Sequence, residues 1–284
     1  MRITKYISKI REIVNNEKMR GNSIGFVPTM GFLHEGHLSL IRESVKNEDF
    51  TIVSIYVNPT QFAPDEDFEE YPRDIERDIK MCEKEGVDLI FSPEDETMYP
   101  EGFQTHVIPG ELSNVLCGES RPTFFRGVCT IVTKLLNIVR PHRAYFGQKD
   151  YQQYKIISRM VRDLNMQTEI KSCPIIRESD GLAISSRNMY LNSKERKEAA
   201  SLYESLQAAE KMLKNGINES SKIKAEMKKI IEAKDTTEID YISIVNEKNL
   251  KSISDISKAD KILIALAVYV GRARLIDNMV WVVD

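Results

Sequence analysis

Pro28-Thr29-Met30-Gly31-Phe32-Leu33-His34-Glu35-Gly36-His37 is the stretch on which the fold turns. Before it lies the apolar run Ile24-Gly25-Phe26-Val27, and after it Leu38, Leu40, Ile41 and Val45 recur at roughly helical spacing. Strand, glycine-bearing turn and helix start form a geometry that holds phosphate, because first-turn N–H groups lack intrahelical acceptors and the helix dipole favours negative charge. Two of the four histidines sit at that helix start. Two imidazoles there point to phosphate chemistry as well as phosphate binding.

Outward from this stretch, apolar runs alternate with helical patterns. The strand candidates are Ile24–Val27, Phe50–Val57, Val87–Phe91, Ala144–Gly147 and Thr168–Cys173, and the helix candidates are Gly36–Lys46, Pro72–Glu85, Val128–Val139 and Asp150–Leu164. On the third helix Val128, Ile131, Val132, Leu135 and Val139 share one face. Continuous apolar strands alternating with helices predict an α/β class, a parallel sheet covered on both sides, with ligands beyond the carboxyl ends of its strands. The character changes after Ile176. Ser193 to Ala233 reads as charged helix, capped by Asn192 or Ser193 and broken by Gly216, and Ile239–Val245, Ile262–Val270 and Met279–Val283 read as strands. The predicted division is residues 1–176 and a smaller α+β domain of 177–284, joined through the polar turn Arg177-Glu178-Ser179-Asp180-Gly181.

Composition bounds the function. A net charge of −3 over 284 residues argues against general nucleic-acid or anionic-membrane binding. The start, Met1-Arg2-Ile3-Thr4-Lys5, lacks the apolar core of a signal peptide, and the longest apolar run, Ile262 to Val270, falls far short of a membrane span. Cytoplasmic location is the expectation. Cys82, Cys117, Cys129 and Cys173 are dispersed and read as reduced thiols.

Four constellations carry candidate chemistry. His34 and His37 would share a helix face; a metal would need a third ligand, and HExxH spacing is absent. Their bland alternative is a capping or partly buried imidazole. Asn58-Pro59-Thr60-Gln61-Phe62 ends an apolar strand, and its amides suit a ligand with hydroxyl and carboxylate groups, or simply a strand-ending turn. Phe146-Gly147-Gln148-Lys149-Asp150-Tyr151-Gln152-Gln153 ends another strand; Lys149 offers a point charge for phosphate, Asp150 a helix cap or a ribose acceptor, and Gln153 lies one turn on. Ile184-Ser185-Ser186-Arg187-Asn188 combines hydroxyls with a guanidinium, suited to phosphate oxygens or to a solvated loop. The acidic segment Asp65–Asp78 reads as a solvated face, with Asp78 a candidate cation ligand, and Arg121 is an anion candidate or a surface residue.

Taken together, Pro28–His37, Ser54–Phe62, Phe146–Gln153, Asp180–Leu191 and the later Val270-Gly271 and Arg274-Leu275-Ile276-Asp277-Asn278 closely resemble the pantoate–β-alanine ligase (pantothenate synthetase) family along essentially the whole chain. The His-x-Gly-His element resembles the HIGH signature of the wider nucleotidylyltransferase superfamily, and the Ser-Ser-Arg segment stands in for its KMSKS loop. One departure is visible: the family's Arg-Pro-Gly-His-Phe is here Arg121-Pro122-Thr123-Phe124-Phe125.

The resemblance implies a Rossmann-like domain, a smaller C-terminal domain closing over the site, and a homodimer. It implies that pantoate, ATP and β-alanine become pantothenate, AMP and pyrophosphate through a pantoyl-adenylate, with Mg²⁺ on the nucleotide. His34, His37, Lys149, Ser186 and Arg187 become the catalytic candidates, with His37 a proton donor. ATP is expected along Met30, Gly31, Phe32, Leu33, His34, Glu35, Gly36 and His37, at Gly147, Gln148, Lys149 and Asp150, at Ile176, and along Ile184, Ser185, Ser186 and Arg187. Pantoate is expected at Gln61 and Gln153, and β-alanine at Gln61 and Asn58. Another nucleotidylyltransferase, a non-catalytic nucleotide-binding module and a metallohydrolase built on His34 and His37 are the rival readings.

Overall fold

The computed structural model describes residues 1–64 and 66–283; Asp65, which opens the acidic segment, and Asp284 lie outside the described residues. Two compact units divide the chain: Met1–Ser113 with Arg121–Pro174, and Asn114–Ser120 with Ile175–Asp284.

In the first unit the order is β1 (Arg2–Thr4), α1 (Ile7–Met19), β2 (Ile24–Thr29), α2 (Glu35–Asn47), β3 (Phe50–Ile55), α3 (Ile75–Lys84), β4 (Leu89–Phe91) and α4 (Asp95–Met98). The short α5 (Cys117–Ser120) belongs to the second unit, and the first resumes with α6 (Phe124–Val139), β5 (Arg143–Gly147), α7 (Tyr151–Asp163) and β6 (Glu169–Cys173). The strands form a six-stranded sheet in the order β1-β4-β3-β2-β5-β6, and every pairing is parallel. The α/β, Rossmann-like reading of the sequence holds. Val27, Val53, Ile55, Ile90 and Tyr145 pack against Leu38 and Ile41 of α2 and Cys82 of α3. Phe26 alternates to the opposite face and is fully buried there; α1 and α6 pack on β2 and on each other, and α6 also packs on α7.

The sequence reading had not found β1 or α1. A three-residue strand is too short to show a period. Helix α1 did carry its signal: Ile10, Ile13, Val14 and Glu17, its buried residues, follow helical spacing. Helix α3 begins later than Pro72 because Asp74 caps it, accepting the Arg77 N–H at 3.0 Å.

The chain order reverses between β2 and β5, the place where open parallel sheets hold ligands. Pro28 shapes this point. The Ile24 carbonyl faces the β5 side, accepting the His142 N–H, while Ser23 and Thr29 carbonyls face β3. Alternation puts Pro28 on the β5 side, where it has no N–H to give. The β2–β5 pairing accordingly runs only over Gly25↔Arg143 and Phe26↔Ala144. Past them the two strands part, whereas β2 and β3 stay paired to Thr29↔Ile55.

The second unit holds α8 (Ser193–Glu198), α9 (Ser201–Lys214), α10 (Ser220–Glu232) and a three-stranded antiparallel sheet of β7 (Thr237–Asn246), β8 (Lys261–Val270) and β9 (Ala273–Val282). Asn192 caps α8, and Glu195 returns a bond to the Asn192 N–H at 2.9 Å. Leu202, Leu206, Ala209 and Leu213 of α9 pack with Ile262, Ile264, Leu266 and Val268 of β8. Strand β9 starts earlier than Met279, because its polar residues Asp277 and Asn278 are buried rather than marking a turn. Asp277 takes a bidentate ion pair from Arg177 at 2.6 and 2.9 Å, and the guanidinium lies 4.2 Å from the Tyr203 ring centre. Breaking a buried pair by removing one partner costs about 3–5 kcal/mol. Asp277→Ala is therefore expected to lower unfolding free energy by roughly that amount; equal denaturation midpoints for variant and wild type would refute the anchoring role.

Candidate functional site

The chain leaves β2 through two consecutive left-handed residues, Gly31 at φ +80° and Phe32 at φ +48°. A Cβ on Gly31 would stand 3.0 Å from Asp78 Oδ2 and from Ile55 Cγ2, so glycine is required on both steric and conformational grounds. Phe32 has no such freedom, and its conformation costs about 1–2 kcal/mol. Asp78 offsets that strain. Its carboxylate, 1 % exposed, accepts the Phe32 N–H on Oδ2 and the Leu33 N–H on Oδ1, both at 2.7 Å. Consecutive N–H groups converging on an anion form a nest, and here the anion is the protein's own. Burial pushes the Asp78 carboxyl up, with these two bonds opposing it. Read from sequence as a candidate cation ligand, Asp78 is placed as the clasp of this turn.

The N–H groups of Gly31 and His34 are engaged as well. Gly31 donates to Thr29 Oγ1 at 3.2 Å and His34 to His37 Nδ1 at 3.3 Å. The expected backbone cradle for ATP runs from Met30 to the first-turn N–H groups of α2, at Glu35 and Gly36, beside the side chains of His34 and His37.

The two imidazoles stack with centroids 4.0 Å apart. Because His37 Nδ1 accepts a bond, the neutral ring carries its proton on Nε2, which becomes a donor. Burial, then the His34 and Lys149 charges, hold His37 well below its ordinary value. Burial, then Lys149, bring His34 down to about 4, with Asp150 opposing and Arg77 adding. Both rings are neutral at pH 7 in the free site and donate hydrogen bonds rather than protons. His34 Nδ1 is buried with no hydrogen-bond partner, beside Gly36, where a Cβ would come within 3.0 Å of the ring.

Across the parting of β2 and β5, Gly147 ends β5 and a single 3-10 turn, Gln148–Asp150, leads into α7. Lys149 and Asp150 make themselves felt here through their opposite effects on His34. Asp150 occupies the N-cap of α7 but makes no side-chain cap bond. Gln153 follows in the first turn of α7.

Beyond β3, Asn58 caps the 3-10 turn Pro59–Gln61. At 1 % exposure, its Oδ1 accepts from Tyr99 Oη at 2.7 Å and from Thr60 Oγ1 at 3.0 Å. Its Nδ2 donates to Gln61 Oε1 at 3.1 Å and to the Gly127 carbonyl at 3.3 Å. Both amide ends are engaged, and the bond to Gln61 joins the two amides expected to meet β-alanine. Gln61 Nε2 reaches Met30 Sδ at 2.9 Å, joining this turn to the end of β2. Gly127 lets α6 approach: a Cβ there would stand 2.0 Å from the Thr60 carbonyl oxygen. Arg121 completes the support with a bidentate pair to Glu66, a bond to the Gln61 carbonyl at 3.1 Å and a stack 3.8 Å over Phe124. Phe124, where the resembling family has histidine, thus carries an apolar face for Arg121.

Ile176, Ile184, Ser185, Ser186 and Arg187 belong to the second unit. Ile176 and Ile184 pair across a hairpin (3.0 Å), Ser185 caps the 3-10 turn Ser186–Tyr190 by accepting the Arg187 N–H at 3.3 Å, and Ser186 is buried.

A family model described as pantoate-beta-alanine ligase matches residues 2–280. The chain belongs to that family. It is 54% identical over 280 residues to the pantothenate synthetase of Thermotoga petrophila, covering 99% of both chains. It is 52% identical over 280 residues to that of Acetivibrio thermocellus, again at 99% of both. Among solved pantoate–β-alanine ligases, the Thermus thermophilus structure superposes with a TM-score of 0.93 at 41% identity, covering 98% of this chain and 99% of that one. The Francisella tularensis enzyme, complexed with beta-gamma ATP and β-alanine, gives 0.82 at 36% identity, covering 98% and 97%.

Sequence reasoning missed Asp78 as the clasp and Tyr99, Arg77 and Arg121 as site supports. The signal for Asp78 was present: it lies one turn before Cys82 on the inward stripe of α3. Asp78→Ala leaves two N–H groups without acceptors, and unfolding free energy is expected to fall by about 2–6 kcal/mol, with Asp78→Asn losing less; equal stability of all three proteins would refute the clasp. The His34 value has a stability consequence. Its folded pKa lies below its unfolded one, so its contribution is full above pH 6.5 and lost as pH falls toward about 4. Stability measured across that window is expected to drop less steeply in His34→Gln.

Proposed function

We propose that this site activates pantoate as an adenylate and passes its acyl group to β-alanine, forming pantothenate and releasing pyrophosphate and AMP. The observation that carries the reading is the family match along residues 2–280. A relative complexed with an ATP compound and β-alanine supports it.

A carboxylate with pKa ~4 is ionised at pH 7 and needs no base to attack the α-phosphorus of ATP. The obstacles are repulsion between anions and the charge that gathers on the leaving pyrophosphate, so positioning and electrostatics supply the catalysis. In the proposed arrangement the neutral N–H groups of His34 and His37 donate to phosphate oxygens, and Lys149 supplies a full positive charge. Bound polyphosphate raises the His37 pKa again, because a neighbouring anion favours the protonated ring. His37 then delivers its proton to the departing pyrophosphate. Ser186 and Arg187, with Ser185 and Ile184, are the second unit's proposed phosphate contacts. Asp150, Gly147 and Gln148 take the nucleoside side and Ile176 the adenine. Gln61 and Gln153 hold pantoate through its hydroxyls and carboxylate, and Gln61, steadied by Asn58, also meets β-alanine. The β-alanine amine attacks the acyl carbon as the free base; the C–N bond forms, the C–O bond to AMP breaks, and the amine's proton passes to the departing phosphate or to water.

Mg²⁺ belongs in this proposal to the substrate. Among the described residues no group of three or more His, Cys, Asp or Glu could hold a metal, and both Asp78 oxygens accept backbone N–H groups. The proposal carries Mg²⁺ on the ATP phosphates and assigns it no protein ligand. A homodimer and cytoplasmic residence are the remaining parts of the proposal; no described helix is long and apolar enough to cross a membrane.

The reading is tested by AMP release from ATP with pantoate and β-alanine each omitted in turn; release that does not need both substrates overturns it. In single-turnover adenylate formation, His37→Ala and Lys149→Ala are each expected to slow the step about 10²-fold or more, and rates within a few-fold of wild type would remove these residues from the mechanism.

A further inference from the structure

Arg77 stands beside the histidine pair and has no place in the roles above. It lies in the first turn of α3, next in sequence to the clasp Asp78. Its guanidinium rests over the Phe32 ring at 5.0 Å, two residues before His34 in the same turn. The side chain is 42% exposed, yet its Nη1 is buried and makes no hydrogen bond. Among the described residues the nearest carboxylate oxygen to Nη1, Asp78 Oδ1, is 3.9 Å away, beyond hydrogen-bond reach, and already accepts the Leu33 N–H. A buried guanidinium nitrogen without an acceptor is costly. The same site contains a second unpartnered buried nitrogen, His34 Nδ1. The Arg77 charge also reaches His34, where it adds to that of Lys149 in disfavouring protonation. Cations therefore act on His34 from two elements, α3 and the β5–α7 turn, and Asp150 is the opposing charge.

We infer that Arg77 is a further ligand for the substrate anion, the cation that takes the pyrophosphate half of the nucleotide beside His34. An anion is the ligand class that satisfies an unused guanidinium donor, and a planar guanidinium can meet two phosphate oxygens at once. Stacking on Phe32 fixes the head while the exposed part of the side chain stays open to an incoming ligand. Phe32 then has two tasks: its N–H binds the Asp78 clasp and its ring carries Arg77. Substrate positioning and turn geometry are coupled through one residue.

This inference rests on the proposed ATP-dependent ligation, and the test separates the two. Wild-type enzyme is first assayed for AMP release that requires pantoate and β-alanine; failure there defeats the ligation reading itself. With that activity present, Arg77→Gln is expected to raise the KM for ATP and to weaken inhibition by inorganic pyrophosphate, each about tenfold or more. The KM values for pantoate and β-alanine, and inhibition by AMP, which lacks the pyrophosphate half, are expected to move less than about twofold. Arg77→Lys, which keeps the charge, is expected to recover part of the pyrophosphate inhibition. Thermal unfolding of each variant reports whether the turn is intact. Unchanged ATP and pyrophosphate parameters overturn the inference. Equal losses for pyrophosphate and AMP, with a lowered melting temperature, also overturn it, because they assign Arg77 to propping Phe32 alone.

Discussion

Two hydrogen bonds, from the N–H groups of Phe32 and Leu33 to the buried carboxylate of Asp78, are the contacts on which the site depends. They hold a left-handed phenylalanine that local energetics disfavour. They also fill with an internal anion the nest that a strand–turn–helix junction otherwise offers to phosphate. The start of α2 presents His34 and His37 with their rings stacked. A carboxylate under a phosphate site is an electrostatic liability, yet one whose oxygens both accept N–H bonds is neutralised where it lies.

The second constraint is a missing donor. Pro28 removes the N–H that β2 would give to β5, and the two strands separate at the point where the sheet's order reverses. The separated ends lead from β2 to the His34–His37 turn and from β5 to the Lys149–Asp150 turn. Cations there and desolvation keep both imidazoles neutral until an anion arrives. In the proposed reaction a bound polyphosphate offsets the charges acting on both imidazoles and raises the His37 pKa, so that a hydrogen-bond donor becomes a proton donor.

Much of this was legible in the residues. The alternation of apolar strands and helices marked the parallel sheet, because a strand buried on both faces must be apolar throughout. Gly31, His34, His37, Gln61, Lys149 and Ser186 stood out because glycines, amides and charges at strand ends have few structural uses. Other readings needed the third dimension. Asp78 looked like part of a solvated acidic face, since nothing local shows that it meets a turn far away in sequence. Nothing near Asn58 in sequence shows that Tyr99 and Gly127 hold its amide. Strand β9 hid its start behind Asp277, whose partner Arg177 is equally distant along the chain.

The sequence by itself determined the class of fold, the succession of strands and helices and the chemical kind of the site, because periodicity and strand-end composition are local properties. Only the tertiary structure decided which polar groups face a ligand and which hold the frame. That choice depends on long-range pairing: a carboxylate, an amide or a guanidinium is committed or open according to what distant residue reaches it, and burial together with neighbouring charges sets whether a histidine is charged.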